Sequence, residues 1–380
     1  MKLLVIGNSY VTTFAQQKYL AMKQLDHSLQ LRIAVPPDMG HIFQQYKLEV
    51  ALGLETDLIP LKKVWGNSTM NYVLNPVGLA QLIREFRPDH VHIEEDPHSL
   101  VGVEAVILTS LFASKAKISF FIWDNLARKP KFPLNIIKIA FTKFSFSRSN
   151  LVVCGNKEGQ QLLKTVKGYS GSSVVLPQVG LDLCDYNLTP DLKIQKLLQI
   201  ESGVPTIGFA GRLVPEKGIM LLLEALYTLQ DLPWKMVILG SGPLSDEINT
   251  HWKRLFRDRL VMLGVVPLRA VADYLKCFDI FVLPSYSTPK WKEQFGLVLA
   301  QAMMAGNACI GSSSGAIPEV LGSAGLVFPE RDKAGLVLAL TTLLQSKDLR
   351  QSLGVEARIY ASQYYTNSTI AEAYLHHFKI

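Results

Sequence analysis

No run of about 18 consecutive apolar residues occurs in this sequence, so no membrane-spanning helix is expected. Cysteine is scarce. Cys154, Cys184, Cys277 and Cys309 lie far apart without C-x-x-C spacing, and Cys154 and Cys309 fall in apolar runs where a thiol acts as a small hydrophobe. A reducing compartment fits that usage. The sequence also has no low-complexity segment, no short repeat, and no G-x-G-x-x-G turn after its first apolar run, which argues against a dehydrogenase. Neither His251 nor the pair His376-His377 shows metal-ligand spacing, and surface positions explain them. The opening apolar stretch, Leu3 to Ile6, is too short for a signal peptide and reads as a first strand ending at Gly7.

What is present is a chain of 380 residues, 48% hydrophobic and 19% charged, enough to bury two cores of ordinary size. Its formal net charge of +7 favours anionic partners such as a phosphorylated substrate, an anionic membrane surface or a nucleic acid. Short apolar runs at 2–6, 31–35, 89–93, 118–122, 151–154 and 173–176 predict strands, with helical spacing at 75–86, 99–113 and 156–164. The second half repeats the scheme, with strands at 206–209, 236–239, 260–263, 280–283 and 308–311 and helices at 219–229, 268–277 and 295–305. Strand–helix alternation predicts parallel sheets covered on both faces. A turn-rich stretch at 177–190 separates the halves, which gives domains over 1–180 and 181–360, and residues 361–380 belong to a helical pattern expected to pack back on the first domain.

Ligands in open α/β sheets sit beyond the carboxyl ends of the strands, so the residues just after strands carry the candidates. Gly211-Arg212 through Lys217-Gly218 places two cations five residues apart between a strand and a helix, suited to the charge that builds on a leaving diphosphate. The plainer reading makes Glu216 and Lys217 a solvated pair. Glu293 precedes Phe295, Gly296 and Leu297 at a helix mouth, where backbone N–H groups and the helix dipole favour an anion. Glu293 is then either a partner for sugar hydroxyls or an ordinary acidic residue complementing the dipole.

The G-R-x-x-x-E-K-G run from Gly211 and the E-x-F-G run from Glu293 stand in order with three further stretches. These are Gly240-Ser241-Gly242-Pro243, the run from Phe278 to Ser285, and Gly315-Ala316-Ile317-Pro318-Glu319. Together, from about 208 to 330, they resemble retaining glycosyltransferase family 4, glycosyl transferases group 1. That resemblance implies an α/β fold of the GT-B type, two facing Rossmann-like α/β/α domains with a cleft between them. It implies hexose-type transfer with retention from a nucleoside diphosphate sugar to a glycan, lipid-linked or small-molecule acceptor, without cofactor or metal. Arg212 and Lys217 would hold the diphosphate and Glu293 the sugar. Gly211, Gly240, Gly242, Phe295, Gly296 and Leu297 would line the donor site, and Val265 would lie against the base. The family usually has Glu where this chain has Gln301, facing the ribose hydroxyls. Gln accepts through its oxygen but carries no charge, which opens the alternative of a weak or inactive sugar-nucleotide-binding partner subunit.

On the acceptor side the family's Gly-Gly loop is replaced by Gly7-Asn8-Ser9-Tyr10, which makes Asn8 a candidate. Glu94, Glu95 and Asp96 follow one strand and read as acceptor-hydroxyl contacts or as an acidic helix start. A metal cluster of these three is chemically conceivable, but the resemblance argues against it. Trp123, Asp124 and Asn125 follow the next strand, and Asp124 either orients the acceptor hydroxyl catalytically or closes a turn. Segment 128–148 holds Arg128, Lys129, Lys131, Lys138, Lys143 and Arg148 with interleaved Phe and Ile and no acid. It is either a core-facing helix with a solvated basic side or a contact with a membrane surface. No nucleic-acid module accompanies the charge. The expected location is cytoplasmic, with peripheral attachment to the inner membrane face if the second reading of that segment holds.

Overall fold

The computed structural model describes residues 1–41, 44–66, 72–127, 134–165, 168–187 and 189–380. The chain forms two compact units: Met1–Gly180 with Asn367–Ile380, and Leu181–Thr366.

The first unit is built on a seven-stranded sheet in the spatial order Ser172–Val175, Leu151–Cys154, Lys117–Ile122, His90–Ile93, Lys2–Ile6, Gln30–Val35 and Leu58–Pro60. Every neighbouring pair is parallel. Strands such as Leu151–Cys154, Leu-Val-Val-Cys, are apolar without alternation, because helices cover both faces and leave no wet side. The helices begin where the sequence offers caps. Asn75 accepts from the amides of Val77 and Gly78 ahead of Pro76–Phe86, and Ser99 accepts from Gly102 ahead of Leu100–Phe112. The second unit repeats the plan with six parallel strands, ordered Leu260–Met262, Lys235–Leu239, Thr206–Ala210, Ile280–Leu283, Ala308–Ser312 and Leu326–Phe328. Counted along each unit, the third, second, first, fourth and fifth strands lie side by side. This is the doubly wound Rossmann-like arrangement, whose chain direction reverses between strands one and four.

Several elements differ from the sequence reading. The helix Thr13–Leu25 was not legible because Gln16 and Lys18 interrupt its apolar stripe, yet both are buried. Gln16 donates to the Tyr10 and Glu49 carbonyls at 2.7 and 2.6 Å and accepts from the Ala51 amide. The strands Leu58–Pro60 and Leu326–Phe328 are three residues each, too short to show a pattern. The long C-terminal helical pattern is two helices, Lys347–Tyr364 and Asn367–Lys379, divided at Tyr365-Thr366. The second helix places Ile370, Ala371, Tyr374, Leu375 and Phe378 in the core of the first unit, against helix Thr13–Leu25. Among the described residues no helix is long and apolar enough to cross a membrane.

Candidate functional site

In the second unit the switch between strands one and four brings two of the sequence motifs together. The segment after Thr206–Ala210 carries Arg212 and Lys217, and the segment after Ile280–Leu283 carries Glu293. Lys217 Nζ donates to Glu293 Oε2 at 2.7 Å, so the pairing of Lys217 with Glu216 in solvent is set aside. Ser285 Oγ donates to the same Glu293 oxygen at 3.0 Å, and Lys217 Nζ sits 4.8 Å above the Trp291 ring centroid. Arg212 is exposed on the same segment.

Glycine makes this stacking of loops possible. Gly218 has φ 72°, and a Cβ there would lie 1.9 Å from the Pro284 carbonyl oxygen; Gly240 has φ 133°, and a Cβ would lie 1.9 Å from the Gly211 carbonyl oxygen. Any side chain at either position would push the segment after strand one away from its neighbours. Gly242 donates its amide to Ser245 Oγ in the same turn. The next loop outward holds Gly264, whose carbonyl accepts from the Gly240 amide, and Val265, 72% exposed although apolar.

Helix Leu297–Met304 starts at Gly296, which is left-handed at φ 82°. The first amides of a helix have no acceptor within it and carry the positive end of the dipole, so this mouth suits a phosphate or a sugar oxygen. Glu293 lies just ahead of it, and its carbonyl accepts from the Ala316 amide, tying the mouth to the turn after Ala308–Ser312. Phe295 is buried edge-on to Tyr365, with ring centroids 5.6 Å apart, and fixes the approach to the helix. Gln301 is buried and hydrogen-bonds the Tyr186 hydroxyl, whose acidity burial suppresses.

The first unit has the same topological switch, and its loops hold the other candidates. Glu94 accepts from Lys18 Nζ at 2.7 Å, Tyr19 at 2.8 Å and Gln178 at 2.8 Å. Burial opposes its charge, but Lys18 and His92 outweigh burial and hold the carboxyl far below the usual range. Glu95 accepts from the Asn8 amide and the Tyr72 hydroxyl, both at 2.8 Å, and from Asn8 Nδ2 at 3.2 Å. Burial pushes its carboxyl up to about 8, the hydrogen bonds from Tyr72 and Asn8 restrain that rise, and the neighbouring Asp96 and Glu94 add to it. Both glutamates thus lie under the loop surface as supports, while Asp96 is partly exposed. Trp123 Nε1 donates to Gln178 Oε1 at 3.0 Å, and Asn125 Nδ2 reaches Glu158 at 3.4 Å. Asp124 accepts from the Leu126 amide at 3.4 Å, a turn-closing contact. Of the basic segment, Arg128, Lys129, Lys131 and Phe132 lie outside the described residues, and 134–147 is helical.

Sequence reasoning passed over Ser285 and Trp291 as site residues. Ser285 was visible only as the end of the strand run from Phe278, and Trp291 only as the edge of the Glu293 loop. Gln178 was also missed: it links Glu94, Trp123 and Ser9 from the interdomain stretch, and no motif marks it.

Residues 191–360 match the family described as Glycosyl transferases group 1. The chain is 33% identical over 143 residues to N-acetyl-alpha-D-glucosaminyl L-malate synthase of Bacillus anthracis, covering 37% of this chain and 36% of that one. It is 28% identical over 212 residues to D-inositol 3-phosphate glycosyltransferase of Corynebacterium kroppenstedtii, covering 50% and 44%. The chain thus spans less than half the length of these curated relatives. The fold extends further than the sequence likeness. A structure of Anabaena HepE in complex with UDP superposes with TM-score 0.71 at 17% identity, over 100% of both chains. The chain therefore has the GT-B fold of two Rossmann-like units, and residues 191–360, within the second, match the glycosyl transferases group 1 family.

Proposed function

We propose that this protein is a retaining, metal-independent glycosyltransferase that moves a hexose-type sugar from a nucleoside diphosphate sugar to a glycan, lipid-linked or small-molecule acceptor. The observation that carries the reading is the 2.7 Å contact of Lys217 with Glu293 at the switch point of the unit that matches the family. Breaking the bond between the anomeric carbon and the diphosphate oxygen leaves negative charge on the diphosphate. Lys217 and Arg212 neutralise it, with the helix mouth at Gly296 and Leu297 assisting. Glu293, gripped by Ser285, holds the Lys217 ammonium in place and meets sugar hydroxyls. The acceptor oxygen attacks on the face the diphosphate leaves, and a donor phosphate oxygen takes its proton, which preserves the anomeric configuration. Gly240, Gly242 and Val265 receive the nucleoside, and Gln301 its ribose. The acceptor falls to the loops of the first unit, around Asn8, Asp96, Trp123, Asp124 and Asn125.

A melting-temperature panel of nucleoside diphosphates and their sugars tests the reading. A ligand held only by the folded state at about 100 times its Kd adds about 2.7 kcal/mol of stability, so one base, and then one sugar, should raise Tm above the rest. NMR of the product anomeric proton should then show retention. A panel with no stabilising nucleotide removes the proposal, and binding without transfer to any acceptor pool makes the protein a sugar-nucleotide-binding subunit instead.

A further inference from the structure

Among the described residues, those that anchor the helix Leu134–Ser147 lie at its C-terminal end. Near its C-terminus Ser145 and Phe146 are buried: Ser145 Oγ donates to the Pro97 carbonyl at 2.7 Å, and the Phe146 ring packs 5.0 Å from Tyr169. Residues 136 to 140, by contrast, are all exposed, and that is more than a full turn. Three of them are isoleucines, Ile136, Ile137 and Ile139, with 60, 54 and 45% of their surface in water. A helix laid on a protein core, or covered by a protein partner, hides one side and leaves the other polar. Here three isoleucines face solvent on different sides of one turn, with Lys138 between them. The neighbouring helix Leu100–Phe112, packed against this one, exposes Ile107, Leu111 and Phe112 as well.

Charge identifies the occupant. Lys138, Lys143 and Arg148 on and beside the helix are exposed, and between Asp124 and Glu158 the sequence has no acidic residue at all. An apolar turn flanked by cations alone complements a medium that is apolar inside and anionic at its boundary.

We propose that the first turns of this helix insert into the interface of a bilayer containing anionic lipid, with Lys138, Lys143 and Arg148 against the headgroups. This goes beyond the transfer reaction and stands whether or not that reaction is correctly assigned. Sedimentation of the full chain with vesicles tests it. The protein should bind vesicles containing phosphatidylglycerol, bind phosphatidylcholine vesicles weakly, and lose affinity as salt rises. The triple variant Ile136→Ser/Ile137→Ser/Ile139→Ser should partition at least roughly ten-fold less, and Lys138→Gln/Lys143→Gln about five-fold less for each lysine removed. Both variants alter exposed positions and should melt with the wild type; if the triple variant does not, the lysine pair still reads the same surface. Three results overturn the proposal: no binding to anionic vesicles, unchanged binding by both variants, or a wild-type dimer in solution that the triple variant converts to monomer.

Discussion

Each unit contains a Lys–Glu pair at 2.7 Å joining the segment after strand one to the loop after strand four, and in both the partners are 76 residues apart. Their surroundings differ. Lys18 and Glu94 have side chains at 0% exposure, the lysine on a helix and 4.2 Å from the Tyr374 ring centroid. Lys217 and Glu293 are 16% and 8% exposed, the lysine in a short 3-10 turn on a segment that Gly218 and Gly240 let pass close to its neighbours. A pair sealed from water holds a fold together, because neither charge can be left alone at tolerable cost. A pair at a loop edge keeps a cation available to an arriving anion. The same topology therefore yields a structural support in one unit and a candidate site in the other, and the loop after strand one decides which.

Replacing the lysine by methionine in each unit puts that contrast to the test. Lys18→Met strands Glu94 in the core and should cost about 3–5 kcal/mol of stability in urea unfolding. Adding Glu94→Gln should recover part of that loss. A Lys18→Met protein as stable as the wild type would erase the contrast. Lys217→Met should cost only about 1 kcal/mol of stability, since water reaches that edge, but lower sugar transfer roughly 10²–10³-fold, as the loss of one transition-state contact does. Transfer rates unaffected by that change would make the second pair structural too.

The smallest expected effect sharpens the reading of the first unit. The Glu95 carboxyl, pushed up to about 8 in the folded chain, has an ordinary value of 4.5. The folded state therefore keeps a proton that the unfolded chain gives up. The stability this provides is complete below pH 4.5 and declines as pH rises toward 8. Glu95→Gln should flatten that decline, read as urea midpoints across the window. Equal slopes in the two proteins would mean that Glu95 is ionised in the fold.

Much of the second unit could be read directly because its information is local. Arg212 and Lys217 stand beside Gly211 and Gly218 in the segment after one apolar strand, Glu293 lies three residues before Gly296 after another, and parallel strands buried on both faces declare themselves by unbroken runs such as Ile-Phe-Val-Leu at 280–283. The first unit resisted for the opposite reason. Lys18 and Gln16 look like the wet side of a helix, and only partners brought from Glu94, Glu49 and Ala51 make their burial tolerable. Ser285 and Gln178 were hidden likewise, since a serine after a strand and a glutamine in a linker carry no periodicity.

The sequence by itself determined most strands of the two parallel sheets, the glycine-flanked cations and the helix mouth at Gly296, because strand hydrophobicity, turn chemistry and capping act within a few residues. Only the tertiary structure decided that Lys217 meets Glu293 while Lys18 meets Glu94, that the last helix completes the first unit's core, and that the isoleucines after Leu134 face water. Each of those depends on which distant surfaces pack together, and side-chain burial is a property of the packed chain, not of any stretch of it.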